Sequence, residues 1–595
     1  MKIPDKIKDR TRFAAWLVKA CTASRAERVQ RGLSFRNLFL TGSEEGIPQT
    51  YLRTQDMIRD ICAFLFSPAD LRFTVDYFGT VSPAERAKAM AAASGLHQHI
   101  TEAEVDESCS AATLWGLIKG KTIHQTVWSR NGLEPYVIQP EAFGVYNESI
   151  ALLERQEAFV HTTFPTRTRF AQIISGLPAK RQIEILRAVD SIAVRTREGE
   201  DHNNVLKQVI VGGLYPYTTG GSPAQTSGGM VTYLFAPQAS MEAGVVDSLV
   251  PMDELWVWND DQDDWATMTL VGDQLIFGDH ELFNAFSSQH ALKTKDDRNP
   301  LAGKHGFVEF CPLPLENYFW GVSYVYLVAL LQRSINKRID GINQMLRKQE
   351  DPPRFMTGST TVNQNAYAKL NRPGGYFTDG SPNAKIQDVV NQVPGDIWRD
   401  FVQLNSMFDT IAGTPAITQG QGEGSVRSQG HAETLLRTGA ARHKDPALKI
   451  ERSVANVGGI SLSLLQAKST ETLVAWLPPN TESIEIDEHP DPSLEPPVKG
   501  MKPVSFQFRH LSNRAKVAVD GHSSSPAFSE EARQLAFGLA KAGAMSPTRL
   551  IEAVHPPQED ALVEDQERKD IAQAELVKEH PELAFPHGKG GHKAH

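Results

Sequence analysis

Residues 321–350 read GVSYVYLVALLQRSINKRIDGINQMLRKQE, and this stretch decides the architecture. It holds no proline until Asp351-Pro352-Pro353, where a missing donor and a ring clash must end a helix. At about 1.5 Å per residue, a helix of this length extends over roughly 40 Å. Leu331, Ile335, Ile339, Ile342 and Leu346 recur at intervals of four, four, three and four, which makes one narrow apolar stripe. The first third is apolar all round. The opposite surface further on carries Arg333, Lys337, Arg338, Arg347 and Lys348 against the single acid Asp340. Such a helix is underpacked alone, so the stripe is expected to pack against neighbours of its own kind.

Toward the C-terminus, residues 351–395 form a compact, turn-rich insert. Tyr376, Phe377, Ile386, Val389 and Val390 mark its expected short strands. A second helix is expected over Ile397–Ile411, with Phe401, Leu404, Met407, Phe408 and Ile411. GTPAITQGQGEG, residues 413–424, follows as a flexible loop. Helix resumes near Val426 and runs to about Gln466, with a kink or restart expected at Pro446. Thr481–Pro497 is acidic and proline-rich, a linker or exposed loop. Helical periodicity returns at Ser529–Gly543, Pro547–Val554 and Asp560–Lys578, and HGKGGHKAH closes the chain as low-complexity tail.

Toward the N-terminus, helical patterning fills most of the chain up to Gly120. Thr54–Phe66 puts Met57, Ile58, Ile61, Cys62 and Leu65 on one face, and Ser82–Ala93 opens with helix N-terminal signals. His124–Leu152 breaks into short apolar pieces between prolines and glycines. Phe170–Arg197 is helical, with a break at Gly176 and Pro178. Leu206–Tyr217, Met230–Phe235, Glu254–Asn259, Trp265–Phe277 and Gly306–Phe310 are short and β-rich, the pattern of an antiparallel region. No internal repeat is present. The whole therefore reads as α+β.

The chain has 595 residues, 41% apolar and 22% charged, which allows two to four folded units. Four dispersed cysteines and no CxxC argue for a reducing compartment and against a thiolate metal site. The opening MKIPDKIKDRTRFAAWLVKAC lacks an apolar signal core, so a non-secreted chain is expected. No apolar run reaches the ~18 residues of a membrane span. The net charge of −10 gives no global attraction for nucleic acid, so any contact must be local.

Motifs for small-molecule chemistry are poor. GLIKGKT resembles a phosphate loop, but Trp115 stands where the first glycine belongs, and a helix precedes it. Gly420, Gly422 and Gly424 follow a helix, not a strand, so they are not a dinucleotide turn. The acids of WVWNDDQDDW, Trp256–Trp265, fail the calcium-loop pattern and read as a hairpin turn gripped by tryptophans. His97 and His99, or His592 and His595, have no second ligand cluster within reach. Arg427, Arg437, Arg442, His443 and Lys444 follow the glycine loop. They are either a solvated helix face or a source of weak phosphate contact.

The order of body, long helix, small insert, second helix, glycine loop, kinked helix and tail resembles the portal (head–tail connector) protein of tailed double-stranded DNA bacteriophages. Phe319-Trp320-Gly321-Val322-Ser323, then the long helix, then Pro352-Pro353, is similar to that family's first stem region. Arg372-Pro373-Gly374-Gly375 is similar to its clip turn, and FDTIAGTP (Phe408–Pro415) before the Gly/Gln loop to its second stem and tunnel loop. The likeness is best from about 300 to 460, and the chain length suggests a podovirus-like variant.

The resemblance implies a wing or body over 1–320, a first stem helix over 321–350, a clip over 351–395 and a second stem helix over 396–412. It further implies a tunnel loop over 413–425, a wing helix and body over 426–480, a linker over 481–500, and a helical C-terminal crown with flexible tail over 501–595. Leu331, Ile335, Ile339, Ile342 and Leu346 become subunit-packing candidates. Arg333, Lys337 and Arg338 become basic stem candidates, and Gln419, Gln421, Glu423 and Arg427 become candidates for touching DNA. The implied function is a ring, usually of twelve copies, at the unique capsid vertex of the virion, made in the host cytoplasm. Terminase would package double-stranded DNA through its channel, and DNA would leave the same way at ejection. Major capsid and scaffolding proteins and head-completion or tail adaptor proteins would be partners. No enzyme activity, cofactor, metal or membrane is implied. The alternatives are a cytoplasmic nucleic-acid-processing enzyme whose carboxylates converge in space, and another structural ring such as a tail adaptor.

Overall fold

The computed structural model describes residues 1–68, 71–77, 83–129, 132–163, 165, 167–197, 250–261, 263–278, 283–284, 305–350, 354–357, 385–388, 395–412, 429–477, 502–511, 515–519, 537–541 and 550. Helix and sheet are mixed along the chain, an α+β organisation. The helices with ranges described are α1 (Ile7–Thr22), α2 (Arg25–Thr41), α3 (Arg53–Leu65), α4 (Pro83–Glu102), α5 (Val105–Lys119), α6 (Arg167–Ile173), α7 (Ala179–Arg197), α8 (Tyr324–Glu350), α9 (Gly395–Ala412) and α10 (Gln429–Lys468). No helix among the described residues is long and apolar enough to cross a membrane.

One sheet has six strands. They are β4 (Phe143–Val145), β5 (Ala158–Thr163), β6 (Met252–Asn259), β7 (Asp264–Val271) and β8 (Gln274–Phe277), in that order, with β9 (Phe283–Asn284) on β7. Side-chain alternation splits each central strand between two cores. Ala158, Val160, Leu255 and Val257 face α1, where Leu17 and Cys21 cover them. Phe159 and Trp256 face the other way, into an aromatic cluster with Phe143, Trp265, Phe307 and Trp320. The acid-rich segment is the β6–β7 hairpin, with Trp258 opposite Trp265 and their rings edge to face at 5.6 Å.

The second core joins distant parts of the chain. Strand β1 (Phe73–Tyr77) pairs with β15 (Ala515–Val519), and β13 (Thr472–Leu477) with β14 (Lys502–Gln507). A third small sheet orders β10 (Phe307–Phe310), β2 (Thr122–Ser129) and β3 (Gly132–Ile138). Leu96, Ile450, Val457, Phe506 and Phe508 pack between these sheets and helices α4 and α10.

Three expectations need correction. Lys502–Gln507 and Ala515–Val519 fall in the expected helical crown, yet they are strands, the first paired with β13 and the second with β1 of the N-terminal part. Their β pattern is too short to read until a partner strand is known. Phe73–Tyr77, inside a stretch expected to be helical, is the partner of β15. Of the kink or restart expected at Pro446, the restart does not occur, since the proline lies inside one continuous helix. In the insert, β11 (Arg354–Thr357) pairs antiparallel with β12 (Lys385–Asp388), which contains Ile386. Tyr376, Phe377, Val389 and Val390, the early β-rich segments 206–217 and 230–235, the 481–500 linker, and Asp560–Lys578 lie outside the described residues.

Candidate functional site

Helices α8 and α9 pack together as a hairpin whose head is set into the body. Ser323 caps α8: its hydroxyl accepts from the Tyr326 amide at 3.3 Å and donates to the carbonyl of Ile118. Just before it, Gly321 has φ +64° and Gly120, at the end of α5, has φ +95°. A Cβ on Gly321 would stand 2.5 Å from Cys311 Sγ, and one on Gly120 would stand 2.8 Å from the Trp320 carbonyl oxygen. Two left-handed, side-chain-free residues therefore let the Phe319-Trp320-Gly321 turn press directly on the end of α5.

Two amides one turn apart on α8 then fasten two further helix ends. The Oε1 atom of buried Gln332 accepts from the Thr54 amide and hydroxyl, both at 3.0 Å, and so satisfies an open end of α3. The Nδ2 atom of Asn336 donates to the Gly42 carbonyl at 2.8 Å, just past α2. Arg53 of α3 pairs with Asp409 of α9. The hairpin is thus fixed at its root by hydrogen bonds as well as by packing.

That rooting changes the role of the stripe. Ile335 is 0% exposed and Ile342 is buried; Leu331, Ile335 and Ile339 join a core with Met57, Ile61, Phe401 and Phe408. They are covered by α3 and α9 of the same chain, not held open for a neighbour. Leu346 alone of the five is exposed. The uncovered apolar side chains of the hairpin are others: Tyr326, Leu327 and Leu330 on α8, and Trp398, Val402, Met407 and Ile411 on α9. Leu330 is 71% exposed and Val402 65%.

Of the basic stem candidates, Arg333 pairs with Glu44 and Arg338 with Asp400, while Lys337 is exposed. Arg442 donates to the Thr410 carbonyl at 2.6 Å, and His443 is buried against Phe64, so His443 belongs to no solvated face. Gln419, Gln421, Glu423 and Arg427 lie outside the described residues, as do Gly420, Gly422, Gly424 and the last histidines.

Beside the root of α8 lies a cavity of about 370 Å³ that no motif announced. Helix α2, the end of α5, a short helical turn at Pro140–Ala142 and the turn before α8 line it. Lys119 Nζ meets both Glu141 oxygens, at 2.7 and 2.8 Å, with the two side chains only 3% and 1% exposed. Burial lowers the Lys119 pKa, and Glu141 acts against that shift. Arg28 lies 4.2 Å over the Trp320 ring and pairs with Glu148, which also accepts from Trp320 Nε1 at 2.8 Å. Burial brings Arg28 down to about 10. A signal did exist in Arg25, Arg28 and Arg36, spaced three and eight apart on one face of α2. Charged residues at helical spacing ordinarily face water, but these three are buried.

The lysines of GLIKGKT have structural partners. Lys119 holds Glu141, and Lys121 holds Glu309 at 2.7 Å and the Ala151 carbonyl at 2.8 Å. Asp260 in the β6–β7 turn pairs with the Met1 ammonium at 3.0 Å, and His99 pairs with Glu471. Among the described residues, no group of three or more His, Cys, Asp or Glu is placed to hold a metal. No protein-family model matches the chain, and no curated protein matches it.

Proposed function

We propose that the chain is the subunit of a portal-type ring, a structural channel for double-stranded DNA at one capsid vertex. The observation that carries this reading is the set of exposed apolar side chains on α8 and α9. Tyr326, Leu327, Leu330, Trp398 and Val402 are exposed on a hairpin whose inner stripe is already filled. Exposed apolar faces of this kind mark association surfaces. A closed ring satisfies two different faces of every subunit at once. Subunit contacts are accordingly assigned to these exposed side chains and not to the stripe.

In this reading the insert around β11 and β12 is the narrow end that meets terminase and later the adaptor proteins. The Gly413–Ser425 segment is the collar around DNA, where Gln419 and Gln421 contact phosphate without charge, Glu423 repels it and Arg427 attracts it weakly. DNA binding is non-specific, and the subunit performs no catalysis. An acidic chain suits this role, because a channel must not hold its cargo tightly.

The test is the mass and shape of the purified native particle. Twelve copies of 65.7 kDa give about 790 kDa, and negative-stain images should show rings with an axial hole. A monodisperse monomer or dimer at micromolar concentration would overturn the reading.

A further inference from the structure

Helix α1 carries a solvent face that neither its packing nor the ring reading uses. Its inward side chains, Ala14, Leu17, Val18 and Cys21, are buried on the six-stranded sheet. Lys8, Arg12, Trp16 and Lys19 recur at intervals of four, four and three, so they form one stripe on the opposite side. All four are exposed. Successive members stand roughly 5–6 Å apart along the helix axis.

Trp16 is 53% exposed and has aromatic neighbours. The ring of Tyr146, just after β4, lies 6.1 Å from the indole, and that of Phe13 lies 6.4 Å from it. Gly144 permits this approach. A Cβ there would stand 2.4 Å from the Cys21 carbonyl oxygen, so the end of α1 rests directly on the β4 backbone.

The charge of the stripe is not neutralised. Helix α1 holds Lys8, Arg10, Arg12 and Lys19 against one acid, Asp9, on a chain of net charge −10. Arg10 is buried and donates to the Pro4, Asp5 and Gly278 carbonyls. Among the described residues, Lys8 and Arg12 form no ion pair. Lys19 meets Asp273 at 3.5 Å with the two side chains 75% and 76% exposed, and such a pair is weak.

We infer that this face binds single-stranded nucleic acid, with phosphates on Lys8, Arg12 and Lys19 and a base stacked on Trp16. A row of cations interrupted by an open aromatic ring supplies both parts of a single-strand platform. A duplex keeps its bases stacked on one another and would use the cations alone. An acidic protein segment would likewise leave the indole without a flat partner. A lipid surface takes up the apolar side of a helix, and here that side is buried on the sheet. The inference stands apart from the ring reading, since it needs only a folded subunit.

The experiment follows fluorescein-labelled oligo-dT of about 20 nucleotides by anisotropy on the full-length chain, at about 50 and 200 mM salt. Affinity should fall steeply with salt. Lys8→Glu together with Arg12→Glu should weaken binding about tenfold or more, at an unchanged melting temperature. Trp16→Ala should weaken it about tenfold, and Trp16→Phe should recover part of the loss. A second measurement needs no substitution: an oligonucleotide carrying bromodeoxyuridine, irradiated on the unaltered chain, should leave its adduct on Trp16 or Tyr146. Adducts found only elsewhere, or an affinity that the charge reversals leave unchanged, overturn the inference. Unchanged binding in Trp16→Ala, or tighter binding of a duplex of the same length, reduces the face to a phosphate contact and overturns the single-strand assignment. Capture of phosphatidylserine vesicles or polyglutamate with no binding of oligo-dT overturns it as well. None of these results depends on the mass of the native particle, so the ring reading stands or falls separately.

Discussion

Lys119 and Glu141 form a two-oxygen ion pair sealed from solvent, and Gly32 is the reason Glu141 fits. A Cβ on Gly32 would stand 1.8 Å from Glu141 Oε1. Removing one member strands the other as an unpaired buried charge, which costs about 3–5 kcal/mol. Lys119→Met and Glu141→Leu should each lower the thermal midpoint sharply. The double replacement should recover most of the loss, because a buried pair exchanged for apolar groups is nearly neutral. Gly32→Ala should resemble Glu141→Leu, since the carboxylate must move off Lys119. Calorimetric midpoints of the four variants check all three statements.

Acid sensitivity should come from buried histidines. Burial holds His124 at about 3, and burial with the nearby Arg25 charge holds His161 at about 4. Ser108 faces His124 at 2.7 Å, and Glu254 stands 3.9 Å from His161. Both folded values lie below the ordinary ~6.5, so the unfolded chain binds more protons between the two. Stability is therefore flat above about pH 6.5 and falls as pH drops below it. The loss is about 1.4 kcal/mol per pH unit for each histidine once the unfolded form is fully protonated. Denaturant melts from pH 7.5 to 5 should show this slope, and His161→Gln should make it shallower whatever its effect on the absolute midpoint.

The two-strand pairings predict where truncation becomes damaging. Phe506, Phe508, Leu511 and Val519 are buried in the core formed with α4 and α10. Each contributes about 1.5–3 kcal/mol by burial. A chain ending at 525 should keep its near-ultraviolet circular dichroism and cooperative melting. One ending at 500 should lose both, since β1 and β13 would have no partners.

Elements with strong local periodicity were legible in the sequence, and long-range partners were not. Thr54–Phe66 was readable because Met57, Ile58, Ile61 and Leu65 repeat at helical spacing, and all four are buried in α3. The long helix and its apolar stripe were equally plain. What covers the stripe was not, because periodicity gives a face and not its neighbour. Strand β15 shows alternating exposure over only five residues, and its meaning depends on Phe73–Tyr77, more than four hundred residues earlier. The cavity was hidden for a different reason. Its buried Arg28 and Lys119 imitate a solvent face until the acids that neutralise them, Glu148 and Glu141, are brought alongside by the fold.

Two substitutions five residues apart on α8 should separate folding from assembly. Ile335 is wholly enclosed between α3 and α9, so Ile335→Ala should cost about 2–5 kcal/mol through lost burial and the cavity left behind. Leu330 is 71% exposed, so Leu330→Glu should stay within about 0.5 kcal/mol of the parent in a melt of the dissociated chain. Their effects on association should be reversed. Leu330→Glu adds a charge to an apolar contact and should shift the native particle toward single subunits in mass photometry. Ile335→Ala, at temperatures where it is folded, should assemble at nearly the parent concentration. If Leu330→Glu assembles like the parent while Ile335→Ala alone fails, the subunit contact belongs to the inner stripe after all. The hairpin would then have to open before it could associate.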